Sequence, residues 1–236
     1  YEMSDKKVIC MIPARIGSQR FKQKNLALIG NKPLLSYGIE AASSSNSFDD
    51  IIVNGDHDSF EKIAKSKNTK YYKRDSFLAS SNTKSDDVIF DFIQEHPCSY
   101  IIWFNSIAPF QTSKDINGFV DKLINNEFDS LFAVKEEYIQ ALYNWQPLNY
   151  EKENKFSRTQ DLNPIQLFIP SMMGWNVKSF RKAYAQSNYG FFCGSTGYYK
   201  VSRLTSLVIK HEEDFRMIRS LVEGLSSYNN QIKYYK

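Results

Sequence analysis

No apolar run in the 236-residue chain approaches the ~18 residues that a membrane-spanning helix needs, so no membrane is expected among its partners. Cysteine is scarce. Cys10, Cys98 and Cys193 are an odd number at unrelated spacings, which excludes a disulfide framework and a zinc pattern. They read as reduced core thiols of a cytoplasmic protein. His57, His96 and His211 lie far apart and form no ligand motif. Neither G-x-x-x-x-G-K-[ST] nor G-x-G-x-x-G occurs, so neither a P-loop hydrolase nor a dinucleotide-binding dehydrogenase is favoured. The formal charge of +4 is too small and too scattered for nucleic acid, and suits a small anionic substrate. The polar opening, residues 1–7, does not read as a secretory leader, and none is expected. There is no internal repeat and no low-complexity linker.

What the chain does have is a 42% hydrophobic fraction, enough for one α/β domain with a sizeable core. It also has one distinctive stretch, residues 12–25. An apolar run, residues 8–12, reads as a short buried strand. Pro13, Gly17 and Ser18 follow, with four cations: Arg15, Arg20, Lys22 and Lys24. After Gly30-Asn31, residues 33–42 read as a helix with Pro33 in its first turn. Strand, glycine-containing basic loop and helix together present backbone N–H groups and cations to a phosphate chain.

Further strands are expected at 50–54, 69–73, 99–104 and 130–134. The helices between them are expected at 59–66, 86–95 and 113–125, the first capped by Asp58. This alternation predicts a doubly wound, mostly parallel sheet. Ligands then bind beyond the carboxyl ends of the strands, where the segments 13–25, 54–58, 74–85 and 105–113 should form one pocket. The alternation breaks at Glu136. Residues 137–170 are aromatic, with Pro147, Pro164 and Pro170, and are too apolar for disorder. They read as an arm that packs on a second subunit. Later elements are strands at 171–177, 197–201 and 207–209, and helices at 179–186 and 212–223. Residues 226–236 form a polar tail.

Ile12-Pro-Ala-Arg15, Gly17-Ser18, Arg20, Lys24-Asn25 and Asn31-Lys-Pro-Leu34 resemble the opening of the acylneuraminate cytidylyltransferases. Ile51-Ile-Val-Asn-Gly-Asp56, Arg74 with Leu78-Ala-Ser80, Ala108-Pro-Phe110, Arg158-Thr-Gln-Asp-Leu162 and Glu213-Asp-Phe215 extend the likeness over roughly residues 7–222. The resemblance implies a single domain over 7–225. It would be a Rossmann-like sheet of the nucleotide-diphospho-sugar transferase type, with a protruding dimerisation arm within 137–195. It implies a homodimer, and CTP and an acidic sugar as substrates. The sugar's anomeric hydroxyl would attack the α-phosphate and release pyrophosphate, a reaction driven mostly by positioning and charge neutralisation. Arg15, Gly17, Ser18, Gln19, Arg20, Lys24, Asn25, Arg74 and Ser80 would bind the nucleotide, and Gln111, Arg158 and Gln160 the sugar. Arg15, Lys24 and Asn105 would act in catalysis. Plainer roles are also open: a turn cap for Asp56, an interface ion pair for Arg158, a helix-terminal charge for Asp214.

The chain also departs from this family. The family's Gln-Pro-Thr-Ser-Pro-Leu-Arg reads Asn105-Ser-Ile-Ala-Pro-Phe-Gln111 here. Its Asp-Ile-Asp metal site reads Val208-Ile209-Lys210. The expected Mg²⁺ is therefore left to Asp214, Glu212 or His211, or is replaced by Lys210 as a fixed cation. Two function classes follow. One is a CTP-dependent transferase acting on an acidic sugar or on another acceptor. The other is a nucleotide- or sugar-binding paralog with weak or absent turnover.

Overall fold

In β1 (Val8–Ala14), Val8, Cys10, Ile12 and Ala14 enter one core cluster, while Ile9 and Met11 enter another. A strand covered on both faces reads as a continuous apolar run. The computed structural model describes residues 6–153, 155–156 and 158–225; the polar tail expected at 226–236 and the first five residues of the opening lie outside them.

After β1 come β2 (Leu28–Ile29), β3 (Lys32–Pro33), α1 (Leu34–Ser45), β4 (Asp50–Gly55), α2 (Asp58–Ser66) and β5 (Lys70–Lys73). Then follow α3 (Ser85–Glu95), β6 (Tyr100–Phe104), α4 (Ser113–Asn125) and β7 (Ser130–Glu137). A small hairpin, β8 (Leu142–Tyr143) and β9 (Gln146–Pro147), precedes β10 (Ile165–Asn176), α5 (Val177–Ser187), β11 (Thr196–Lys200) and α6 (Glu212–Leu225). One sheet takes the order β11-β7-β10-β6-β1-β4-β5. The pairs β1/β4, β1/β6, β4/β5 and β7/β11 are parallel, and β10 runs antiparallel to both β6 and β7. The sheet is thus mostly parallel, as expected, with one reversed strand inside it. β10 arrives from a long irregular segment, not a crossover helix, so nothing obliges it to run parallel.

On one face, α1 and α4 bury Leu35, Ile39, Ala42, Ile116, Phe119 and Leu123. On the other, α3 and α5 bury Ile89, Phe92, Ile93, Val177 and Phe180. The chain leaves β1 on one side through β4 and β5, then returns to the other side with β6. The crevice at the carboxyl ends of β1 and β6 is therefore the switch point of the sheet, the place where such sheets receive ligands.

Four local expectations are corrected. Pro33 precedes α1 as its N-cap and pairs with Leu28 in the β2–β3 hairpin, outside the first turn. His57, not Asp58, caps α2: its Nδ1 accepts from the Ser59 N–H at 3.2 Å. Asp58 lies in the first turn, where its charge still favours the helix N-terminus. Residues 207–209 are not a strand. One backbone bond, Ile209 N–H to the Ile107 carbonyl at 2.9 Å, ties them to the sheet end. They are apolar because Ile209 is buried with Ile29, Leu34, Phe215 and Ile218 under α6. The strand expected at 171–177 begins earlier, at Ile165.

Candidate active site

The basic loop is shaped by a backbone reversal. Gln23 adopts a left-handed φ of 52°, and a 3-10 turn, Lys24–Leu26, follows it. This turns Lys24 and Asn25 inward. Asn25 is buried, and its Oδ1 accepts from the Ser106 hydroxyl at 3.0 Å. Ser106 in turn lies against α1 at Gly38, where a Cβ would stand 2.8 Å from the Ser106 Cβ and 2.9 Å from its Cα. Glycine is needed there for that close approach. Gly17 is different: its φ is not positive and a Cβ would meet nothing within 4 Å, so no protein neighbour requires glycine at that position.

A cleft of about 420 Å³ opens at the switch point, a size suited to a nucleotide-scale ligand. Arg15, Ser18, Arg20, Lys24 and Asn25 of the basic loop line it, with Arg74, Leu78, Ser80, Ser81 and Thr83 opposite. Ser85 and Val88 of α3, with Trp103, Asn105 and Ile107 from β6 and beyond, close the floor. Of the four expected segments, 54–58 does not reach this cleft. Asp56 lines a neighbouring depression with Tyr72, Asp75 and Asp91, on the other side of Arg74. Its Oδ1 accepts from the Ile16 N–H at 2.9 Å, which fixes the start of the basic loop.

The cations are held by neutral oxygens. The Arg15 guanidinium donates to the Ser80 carbonyl at 3.0 Å, bridging the two walls. Arg74 is buried and donates from Nε to the Asn54 Oδ1 at 3.0 Å and from Nη2 to the Asn54 carbonyl at 2.9 Å. Burial pulls its pKa down to about 10. Lys24 donates to the Ile209 carbonyl at 3.0 Å. Burial, then the nearby Arg20 and Arg15, lower its pKa to about 8, against an opposing pull from Asp214. Asn105 donates from Nδ2 to the Pro170 carbonyl at 2.6 Å, and its backbone N–H donates to the Ser171 carbonyl.

The structure thus brings together Arg15, Ser18, Arg20, Lys24, Asn25, Arg74, Ser80 and Asn105. It does not bring the others there. Gln19 is exposed and, like Gly17, outside the lining. Gln111 is buried, and its Nε2 donates to the Asn105 carbonyl at 2.9 Å, bracing the turn rather than facing the cleft. Arg158 and Gln160 are exposed on the segment after β9, where Arg158 pairs with Asp161 at 2.8 Å. Arg158 therefore forms a local ion pair within its own segment.

Two of the three metal candidates are also committed elsewhere. Asp214 accepts from the backbone N–H groups of Lys210 and His211 at 2.8 and 2.7 Å. Burial pushes its carboxyl up, but those two N–H groups outweigh it and hold the pKa low. Glu212 pairs with Arg216 at 2.6 Å, and His211 is exposed. Among the described residues no group of three or more His, Cys, Asp or Glu is placed to hold a metal ion.

Sequence reasoning missed Val88 and Trp103, which lie outside the four expected segments. A signal existed for Trp103: it stands two residues before Asn105, so both point to the same face of the strand end.

A mostly parallel sheet with a cation-lined cleft at its switch point defines an α/β fold of the kind that receives ligands there. A solved structure of CMP:2-keto-3-deoxy-manno-octonic acid synthetase complexed with CTP shares the fold, with a TM-score of 0.71 over 93% of this chain and 99% of that one, at 12% identity. The model of a family described as cytidylyltransferase matches residues 9–220, and the chain belongs to that family. A pseudaminic acid cytidylyltransferase of Campylobacter jejuni is 31% identical over 168 residues, covering 66% of this chain and 72% of the relative. An N-acylneuraminate cytidylyltransferase of Streptococcus agalactiae is 26% identical over 218 residues, 89% of this chain; the chain spans 52% of that protein's length.

Proposed function

We propose that this chain transfers CMP from CTP to an acidic sugar of the nonulosonic type, such as a sialic or pseudaminic acid, with release of pyrophosphate. The observation that carries the reading is the cleft lining: Arg15, Arg20, Lys24 and Arg74 converge on one cavity at the sheet's switch point. The triphosphate lies along the basic loop, where Lys24 exchanges the Ile209 carbonyl for a phosphate oxygen. That is a stronger, charge-assisted bond. The hydroxyls of Ser80, Ser81 and Thr83 face the base and ribose. Asn105 has its Nδ2 engaged by Pro170 and offers Oδ1 to orient the attacking sugar hydroxyl. As that oxygen bonds to the α-phosphorus, its proton passes to a phosphate oxygen of the nucleotide, the bond to the bridging oxygen breaks, and the charge developing on pyrophosphate falls among the cations.

The test is pyrophosphate release from CTP with a panel of sialic, legionaminic, pseudaminic and Kdo-type acids. Turnover with one class of acid is the expected result. No turnover with any acid, but turnover with an alditol phosphate or a phosphonate, would assign a different acceptor. A second reading, a binding paralog with weak or no turnover, is favoured by the lack of a carboxylate among the residues lining the cleft. Tight CTP binding without turnover across the whole panel would establish it.

A second copy of this chain is proposed as the partner of the segment after β7. There Tyr143, Trp145, Leu148 and Phe156 are exposed. A cytoplasmic setting and a role in making precursors of surface polysaccharide are proposed with it. The free thiols Cys10, Cys98 and Cys193 support a reducing compartment.

A further inference from the structure

A divalent metal held by the protein does not fit the residues present. The cleft lining contains Arg15, Arg20, Lys24 and Arg74 and no Asp or Glu. Three acids outside the lining already have partners: Asp56 accepts from the Ile16 N–H, Asp214 from two backbone N–H groups, and Glu212 from Arg216. Hard cations such as Mg²⁺ are held by oxygen ligands, chiefly carboxylates and phosphates. The protein offers no carboxylate set here, and a free dication would enter a field of like charge. Each lining cation repels a dication roughly twice as strongly as it repels a unit charge at the same distance.

The same lining suits a bare polyphosphate. The cations rest on carbonyl oxygens of Ile209, Ser80 and Asn54. These oxygens each take up an N–H without neutralising the charge, which Asp214 near Lys24 and Asp56 near Arg74 offset only in part. An anion supplies both hydrogen-bond acceptors and counter-charge.

We propose that this chain binds its nucleoside triphosphate with its own guanidinium and ammonium groups and without a protein-held divalent metal, so that metal enters only as a counter-ion already on the nucleotide. The inference rests on the reading of the cleft as the triphosphate site.

The experiment is calorimetric titration of the full chain with CTP and, separately, with inorganic tripolyphosphate, each in Mg²⁺ and in EDTA. Mn²⁺ alone is titrated in parallel and followed by its paramagnetic resonance signal. CTP affinity in EDTA is expected to stay within about threefold of that in Mg²⁺, with Mn²⁺ alone remaining free. Arg20→Gln is expected to weaken both probes by about tenfold in EDTA. A loss of about tenfold or more for CTP on removing Mg²⁺, or stoichiometric uptake of Mn²⁺ by the chain alone, overturns the proposal. Tripolyphosphate binding in EDTA without any CTP binding would uphold the metal-free anion cleft and reject the nucleotide assignment. Failure of both probes in EDTA overturns the proposal itself.

Discussion

The Lys24 ammonium donates to the Ile209 carbonyl at 3.0 Å, joining residues 185 positions apart. Ile209 is itself fixed. Its N–H donates to the Ile107 carbonyl, and its side chain is buried against α6. Phe21 of the basic loop packs on Phe215 of α6, with ring centroids 5.2 Å apart. The basic loop, the end of β6 and the last helix are therefore one assembly, and Arg15, Lys24 and Arg74 are held in place before any ligand arrives. Preorganisation of this kind lowers the ordering cost of binding.

The first prediction uses the titration of Lys24. Its folded-state pKa is lowered to about 8 from the ordinary 10.5. A bound triphosphate favours the ammonium, so its affinity should fall as pH rises through that value, by about tenfold between pH 7 and pH 9. Folding stability responds with the opposite sign. Between the folded and unfolded pKa values the unfolded chain binds more protons at this site, so the Lys24 contribution to stability rises with pH. Calorimetry of CTP binding and thermal melts over one pH series check both slopes. Lys24→Met should flatten both; a wild-type slope in that variant would place the titration elsewhere.

A second prediction follows the chain of contacts from α1 to the loop. Gly38→Ala forces a Cβ against the Cβ and backbone of Ser106. Overpacking of this kind costs about 1–3 kcal/mol. Because the Ser106 hydroxyl holds Asn25 beside Lys24, the damage should reach the cleft. Ser106→Ala removes only the hydroxyl and leaves the buried Asn25 Oδ1 without that donor, a loss of about 1–3 kcal/mol. Urea melts and CTP titrations on both variants check this. Unchanged CTP affinity in both would separate the loop's geometry from this contact.

Much of the fold was legible because periodicity reports burial. The strands at 8–12, 50–54 and 99–104 are apolar runs covered on both faces, and the helix at 113–125 carries Ile116, Phe119, Val120 and Leu123 inward. Chain direction within the sheet was not legible. β10 has the same apolar character whichever way it runs, and its reversal depends on where a long irregular segment delivers it. The basic loop was legible for its cations and for Gly-Ser after a strand. Gln111, Arg158 and Gln160 were placed by likeness alone, and none of them lies in the cleft lining. For Gln111 the partner is the Asn105 carbonyl, and for Arg158 it is Asp161.

A third prediction concerns the hairpin β8–β9. Its two tip residues, Asn144 and Trp145, have φ of 48° and 65°. A tight hairpin turn favours such values, but a bulky side chain there is strained. Trp145 is also 87% exposed, so nothing in its own chain compensates. Trp145→Gly should therefore leave the single chain as stable or more stable, by up to about 1 kcal/mol. If the segment docks on a second copy, the same variant should shift the protein toward monomer in sedimentation experiments. A wild-type chain that sediments as a monomer at tens of micromolar, about the range where a specific interface would be populated, would reject the homodimer.

The last prediction installs what the cleft lacks. Val208 and Lys210 flank the Ile209 carbonyl that holds Lys24. Lys210 is exposed and Val208 only partly buried, so both positions accept polar side chains without rebuilding the core. Val208→Asp with Lys210→Asp removes one cation and adds two carboxylates on the segment whose carbonyl holds the Lys24 ammonium. Two consequences follow from the charge change alone. The carboxylates favour the charged form of Lys24, so the pH at which CTP affinity falls should move upward from about 8. They also repel a bare triphosphate and attract a dication, so CTP binding in EDTA should weaken by at least about tenfold while binding in Mg²⁺ recovers. If the wild-type chain turns over slowly, Mg²⁺-dependent pyrophosphate release should rise in the double variant and not in either single one, because one carboxylate leaves the metal with too few protein ligands. The same metal response in wild type and double variant would show that residues 208–210 do not set the metal dependence of this cleft.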